Sequence, residues 1–254
     1  MSNRAAQLEK KLRHYTGKAI SDYKLIAGGD KVLACLSGGK DSLVMVDILK
    51  QLQPRSKSKF ELTVFILNPG LPGFDTKELE IWLKKLKLNY VVHNEDIYSI
   101  VKQKAEKNRY CMLCSRLRRG IIYSYAKEHG FTKIALGHHR EDLITSLLMS
   151  IFYQGEIASM PPKLFAKSGN IVIRPLCYCQ EKDIAEYAIA KNLPILHKTC
   201  EGKENPTRDD IGNLIKKLAQ DNPKIPSNML HSLQRIRPSQ LMDKAMHNFN
   251  QEDI

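Results

Sequence analysis

The sequence predicts an α/β protein: a doubly wound, mostly parallel, five-stranded sheet, with a helix before it and a helical tail after it. Three observations carry that expectation. Five short β-rich runs alternate with stretches whose apolar residues recur at three- and four-residue spacing. A glycine-rich turn joins the first run to the first of those stretches. At 254 residues the chain is long enough to bury one full core, with room for a small appendage.

Taken in order, residues 1–26 read as an amphipathic helix, with Leu8, Leu12, Tyr15 and Ala19 as its apolar positions. Gly28-Gly29-Asp30 separates it from the first strand. The strands are expected at Val32–Leu36, Leu62–Leu67, Asn89–His93, Lys133–Leu136 and Ile171–Arg174. Helices are expected at Ser42–Leu52, Thr76–Leu86, Cys114–Glu128 and Glu141–Phe152, with a further one at Glu181–Ala190. Thr199–Asp209 is polar and loop-like, and the helical tail beyond it is broken by Pro223, Pro226 and Pro238. These transitions place domain boundaries at 1–28 (leading helix), 29–198 (α/β domain) and 199–254 (loop and tail). No internal repeat or low-complexity segment interrupts them. Ligands of such sheets sit beyond the carboxyl ends of the strands, where Ser37, Asn68, His93 and Gly137 fall.

The turn after the first strand is Ser37-Gly38-Gly39-Lys40-Asp41-Ser42. Its backbone N–H groups, with a helix N-terminus behind them, make an anion cradle. The two glycines allow a phosphate close to the main chain, and Ser37, Ser42 and Lys40 add donors. The spacing is not that of a Walker A loop, because Asp41 follows Lys40, and it is not a dinucleotide fingerprint. The plain alternative is an ordinary Gly-Gly turn between strand and helix. The hexapeptide resembles the PP-loop of ATP pyrophosphatases, which hold the β,γ-pyrophosphate and transfer AMP to an oxygen. That resemblance makes Asp41 a ligand of Mg²⁺.

Nothing in the chain reads as a membrane span, and Met1-Ser2-Asn3-Arg4 is not followed by an apolar signal core, so a cytoplasmic protein is expected. Six cysteines in such a chain point to thiol or metal chemistry before disulfides. The net charge of +13 calls for a polyanionic partner, nucleic acid before membrane. Eight basic residues stand against two acidic ones between Lys102 and Glu128, whereas the segment from Lys198 onward is nearly neutral, nine against eight. The basic stretch therefore holds the candidate RNA contacts: Lys102, Lys104, Lys107, Arg109, Arg116 and Arg119. A charge run is more commonly a solvated face; here it surrounds a Cys-x-x-Cys pair.

That pair is Cys111-Met112-Leu113-Cys114. In a helix, Cys111, Cys114 and Arg118 share one face. A helix N-terminus with arginines nearby stabilises thiolate, which fits metal ligation, persulfide chemistry or disulfide exchange. Cys200, in a polar loop, is a third candidate thiolate. Cys35 reads as a small buried hydrophobe inside the first strand, and of Cys177 and Cys179, which flank Tyr178, one is expected to face the core. Three thiolates with one open position suit an iron–sulfur cluster better than a four-ligand zinc site.

Longer motifs extend the likeness beyond the loop. They are Leu33–Lys50, Pro72-Gly73-Phe74, Cys111-Met112-Leu113-Cys114-Ser115-Arg116-Leu117-Arg118-Arg119-Gly120 and Thr132–Asp142 with Gly137-His138-His139. Met160-Pro161-Pro162-Lys163-Leu164 and Ile171-Val172-Ile173-Arg174-Pro175-Leu176 complete them. Over roughly residues 15–200 the chain resembles the tRNA 2-thiocytidine biosynthesis proteins (TtcA), of PP-loop (adenine nucleotide alpha hydrolase-like) fold. The resemblance implies ATP- and Mg²⁺-dependent replacement of the C2 oxygen of cytidine 32, in the tRNA anticodon loop, by sulfur. It also implies a 4Fe-4S cluster on Cys111, Cys114 and Cys200, with tRNA and a cysteine-desulfurase-type sulfur donor as partners, and it allows a homodimer. Two departures stand out. His197 takes the place of the cysteine that usually precedes the third ligand, and the tail after Glu201 matches weakly.

Within that reading Ser37, Gly38, Gly39, Lys40, Asp41 and Ser42 hold ATP, with Asn68 and Gly137 at its nucleoside end. Arg118 would stabilise the adenylate or the base, or else contact phosphate at the surface. Asp142 is a Mg²⁺ ligand or base orienter, or else an N-terminal cap for the helix that begins near Glu141. The other readings are a related PP-loop enzyme (a 2-thiouridine sulfurtransferase or a lysidine-type ligase) and a non-catalytic iron–sulfur RNA-binding protein. The intact hexapeptide counts against the last of these.

Overall fold

The computed structural model describes residues 3–56, 58–104, 110–196 and 206–249. Helix α1 (Asn3–Asp22) buries Ala5, Leu8, Leu12, Thr16 and Ala19, an i, i+3, i+4 stripe. The chain then enters β1 (Lys31–Leu36), α2 (Lys40–Leu52), β2 (Glu61–Asn68), α3 (Lys77–Lys85) and β3 (Asn89–Asn94). Two helices, α4 (Ile97–Lys104) and α5 (Tyr110–Glu128), lead back to β4 (Lys133–Ala135), followed by α6 (Arg140–Gln154). Next come β5 (Lys163–Phe165), β6 (Ile171–Ile173), α7 (Glu181–Ala190), α8 (Pro206–Asp221) and α9 (Ile225–Ser232).

The sheet order is β3-β2-β1-β4-β6-β5, parallel throughout except for β5, which runs antiparallel to β6. The described sheet thus has six strands where the sequence predicts five. The extra strand, Lys163–Phe165, is three residues long and lies at the edge with two of them exposed, so it lacks the apolar alternation that marks a strand. The short helix α4 also escapes sequence reading. It buries only Ile97 and Val101, and its β-branched and aromatic residues carry little helix propensity.

The chain divides into two compact units, residues 1–143 with 160–205 and residues 144–159 with 206–254. In the first, the central strands read as continuous apolar runs because both faces are covered: Val32, Leu33 and Ala34 in β1 and Val64 and Ile66 in β2 are fully buried. One face carries Leu33, Phe65, Ile134 and Ala126 in a cluster with α4 and α5. In the second unit, Ile144 and Leu148 of α6 pack with Ile211 and Ile215 of α8 and with Met229 of α9. Pro226 lies in the first turn of α9, where its missing N–H costs nothing.

The order places the topological switch between β1 and β4. The chain leaves β1 toward β2 and β3, then returns through α4 and α5 to β4 on the other side. The crevice beyond the carboxyl ends of β1 and β4 is where this architecture binds ligands. No helix among the described residues is long and apolar enough to cross a membrane.

Candidate active site

The hexapeptide occupies that crevice. Ser37, Gly38 and Gly39 link β1 to α2, which starts at Lys40. The turn is closed by its own hydroxyls: Ser37 N–H donates to Ser42 Oγ (3.1 Å), the two serine oxygens lie 3.1 Å apart, and Ser42 Oγ donates to Gly39 O (2.9 Å). Gly38 has φ +82°, and a side chain there would also meet Leu196 at 2.8 Å. Only glycine fits. The Leu196 N–H donates back to Gly38 O at 2.9 Å, tying the segment after α7 to the loop.

At the end of β4, a Cβ on Gly137 would lie 3.0 Å from Asp41 C and Ser42 N. Its bare backbone is thus needed by α2 itself, and the close approach fixes the helix N-terminus against the neighbouring strand. Asn68 is used differently. Its amide donates to Asn94 Oδ1 (3.0 Å) and accepts from Gly70 N–H (3.1 Å), bracing the turn after β2, and it is not among the residues that line the cavity described below.

Charges around the loop form a chain. Lys40 Nζ lies 3.0 Å from Asp41 Oδ1 and 3.1 Å from Glu181 Oε1. Burial works against the ammonium, but Asp41 and Glu181 outweigh it and hold its pKa above the usual value. The Glu181 N–H donates to Glu141 Oε2 (2.8 Å), opening α7. His139, 5% exposed, lies with Nδ1 3.3 Å from Glu141 Oε2 and Nε2 3.5 Å from Asp142 Oδ2 and 3.7 Å from Asp41 Oδ1. Burial would lower the imidazole pKa, but the three carboxylates raise it. Burial pushes the Glu141 carboxyl up, yet His139, Arg140 and the Glu181 N–H together bring it down to about 2. Asp142 Oδ2 accepts the His139 N–H (3.0 Å) at the start of α6, the cap that is the plain reading of this residue, and Asp142 also lines the cavity.

That cavity, of about 740 Å³, joins the loop to the cysteine pair. Ser37, Gly39, Asp41 and Ser42 line one part; Cys111, Cys114, Ser115, Arg118 and Arg119 line another. The helix starts at Tyr110, four residues before the predicted start, so both cysteines stand in its opening turns and share a face with Arg118. Cys111 is exposed and Cys114 half-buried. Cys35 also reaches the cavity, half-buried; burial pushes its thiol up to about 12, with Arg118 pulling the other way. Cys177 and Cys179 are both fully buried, where the sequence predicts that one of them faces the core, and burial pushes each thiol up to about 12. They are inert core residues.

Lys102, Lys104 and Arg116 are exposed on α4 and α5. Lys107, Arg109 and Cys200 lie outside the described residues. The sequence alone gives no role to Arg174, Tyr123, Met160 and Leu164, which also line the cavity, or to Glu181. Arg174 directly follows β6, so the strand-end rule that selects Ser37 and Gly137 would have found it too.

Two groups implied by the resemblance can be set against this donor set. Asp41 Oδ1 is buried, and its nearest charged neighbour is the Lys40 ammonium at 3.0 Å, a contact a bound cation at this carboxylate would have to replace. For a cluster, the described residues supply the two thiols of Cys111 and Cys114 in one cavity wall, next to cationic Arg118 and Arg119. Among the described residues no group of three or more His, Cys, Asp and Glu side chains is placed to hold a metal ion.

Comparison with known proteins settles the family. The PP-loop domain family matches residues 5–217. The tRNA-cytidine(32) 2-sulfurtransferase of Legionella pneumophila (strain Corby) is 53% identical, over 100% of this chain and 91% of that protein. The chain belongs to the tRNA-cytidine(32) 2-sulfurtransferase family. A family member from Coxiella burnetii (strain RSA 493 / Nine Mile phase I) is 49% identical over 98% of both chains. The family likeness therefore runs through the tail as well, beyond the stretch to residue 200 that the motifs mark out. The U34-tRNA thiolase NcsA from Methanococcus maripaludis, solved with its 4Fe-4S cluster, superposes with a TM-score of 0.73 at 18% identity, over 92% of this chain and 81% of that one. At that identity the likeness establishes the shared α/β fold.

Proposed function

We propose that the protein converts cytidine 32 of tRNA to 2-thiocytidine, using ATP to activate the C2 oxygen before sulfur replaces it. One observation carries this reading: the phosphate-binding turn and the cysteine pair open into a single cavity. The 53% identity to a tRNA-cytidine(32) 2-sulfurtransferase names the acceptor.

The loop backbone from Ser37 to Gly39, with the N-terminus of α2, receives the β,γ-pyrophosphate. Lys40 adds a cation once its carboxylate partners share it. Asp41 would give its carboxylate to Mg²⁺ carried by the nucleotide, as Lys40 turns from it to the phosphates. The base oxygen bonds to the α-phosphorus as pyrophosphate leaves, and the loop stabilises the leaving charge in place. A sulfide equivalent then adds at C2 and AMP departs with the original oxygen. Arg118 faces this cavity and can neutralise the phosphoryl group on the base.

Cys111 and Cys114 are the cluster ligands on α5, with Cys200 as the third. When bound, a 4Fe-4S cluster on three thiolates supplies one iron position open to an outside sulfur ligand. Lys102, Lys104, Arg116 and Arg119, with Lys107 and Arg109, contact tRNA phosphates, which makes affinity fall steeply with salt. The target base leaves its stack at low cost in an anticodon loop. Sulfur arrives from a cysteine-desulfurase-type donor in the cytoplasm.

The test is mass spectrometry of tRNA from cells lacking the gene, complemented with the wild type or with Asp41→Ala. The wild type alone should restore 2-thiocytidine. Unchanged 2-thiocytidine in the uncomplemented cells would overturn the assignment.

A further inference from the structure

Arg174 presents a physical problem that the fold does not solve. It is 7% exposed, at the carboxyl end of β6, in the wall of the active-site cavity. Its Nη1–H donates to Pro161 O (2.6 Å), and its backbone N–H donates to Pro162 O (2.8 Å). The buried Nε–H has no acceptor, and no ion pair between the guanidinium and a carboxylate is found among the described residues. A guanidinium has five N–H donors and a permanent charge, and burying one without a counter-charge is costly. Arg119 adds a like charge, and Asp142 offsets part of it without forming an ion pair. Such a side chain persists when its partner arrives with the substrate.

The sheet order narrows what that partner is. β6 stands two strands from β1, with β4 between them, about 10 Å at the usual interstrand spacing. That sets Arg174 to one side of the loop after β1, across the cavity from the pyrophosphate site and toward the group that separates from it. We propose that Arg174 is a catalytic residue that binds a non-bridging phosphoryl oxygen of the adenylyl group as it passes from ATP to the base. This rests on the function proposed above. In that step the base oxygen bonds to the α-phosphorus, the bond from that phosphorus to the bridging oxygen breaks, and its electron pair leaves with pyrophosphate. The phosphoryl group keeps its negative charge throughout, and the planar fork of Arg174 matches two of its oxygens.

The experiment compares wild type, Arg174→Met and Arg174→Lys, each anaerobically reconstituted and supplied with sulfide, in tRNA-dependent AMP release, thermal unfolding, and binding of tRNA and of α,β-methylene-ATP. Arg174→Met should release AMP at least ~100-fold more slowly, the usual cost of losing a donor to a developing charge. Its Tm should hold or rise, because an apolar side chain replaces an unpaired buried charge, and its tRNA affinity should stay unchanged. If analogue binding weakens as well, the contact already exists in bound ATP; if not, it forms during transfer. Both results support the proposal. Arg174→Met working within tenfold of wild type would overturn it. Should Arg174→Met fail to fold, Arg174→Lys decides: slow release at wild-type Tm supports the proposal, and wild-type release refutes it. If wild type itself releases no AMP with tRNA, the failure belongs to the proposed function instead.

Discussion

Lys40 of the loop and Glu181 at the start of α7 are held 3.1 Å apart, so the ammonium aimed at the phosphate site is shared with a carboxylate. Incoming phosphate must compete with Glu181 for that charge. Removing the competitor should therefore help the nucleotide. Glu181→Gln is expected to tighten binding of an ATP analogue about two- to tenfold, measured by calorimetry at low salt. Tenfold weaker binding would show instead that Glu181 positions Lys40 for its ligand.

Gly137 tests how the loop is held. A methyl group there would press on the Asp41 and Ser42 backbone at 3.0 Å, and no flexible side chain is available to yield. Gly137→Ala should cost about 1–3 kcal/mol, an overpacking cost, and lower Tm by ~2–4 °C for each of them. Displacement of the helix N-terminus should also weaken analogue binding by at least about tenfold. Wild-type affinity with wild-type Tm would mean that the β4 end moves freely.

Far from the cavity, Asp30 pairs with Lys133 at 2.9 Å and accepts from Ala27 N–H and Thr132 Oγ1. Burial would raise its pKa, but these partners win and lower it below 3.8. A carboxyl lowered in the folded state contributes stability above its ordinary pKa and loses it as pH falls through the folded value. Asp30→Asn should destabilise by about 3 kcal/mol at pH 7, since it strands a buried ammonium. In denaturant titrations the gap to wild type should hold down to about pH 4 and shrink below it. A gap that widens on acidification would contradict the pairing.

The cysteines divide by burial. Cys114 lines the cavity, whereas Cys177 is fully buried in the core. After anaerobic reconstitution Cys114→Ser should lose bound iron and its visible absorption, and Cys177→Ser should keep both at a lower Tm. Equal iron in Cys114→Ser and wild type would remove Cys114 from the ligand set.

The sequence exposes these features unequally, for physical reasons. Ser37–Ser42 and Cys111/Cys114 are legible because their chemistry is written in consecutive residues flanked by clear periodicity. The central strands are legible because both faces are covered and the runs are continuous. The strand Lys163–Phe165 is not, since an exposed edge of three residues carries no pattern. Glu181 and Arg174 lie 141 and 134 residues from Lys40 and gain their meaning only when α7 and β6 come beside the loop. The motif Ile171–Leu176 marks Arg174 as part of a family pattern, but only its burial with Nε–H unsatisfied and no counter-charge beside it says what the residue is for.

In this mechanism ATP cleavage and sulfur insertion are coupled one for one. The measurement is anaerobic turnover of reconstituted protein with ATP, sulfide and a tRNA transcript, counting AMP and 2-thiocytidine in the same samples. One AMP should appear for each 2-thiocytidine, confined to position 32, and Asp41→Asn should lose both together. Thiolation that proceeds without ATP, or AMP that accumulates without thiolation, would contradict it.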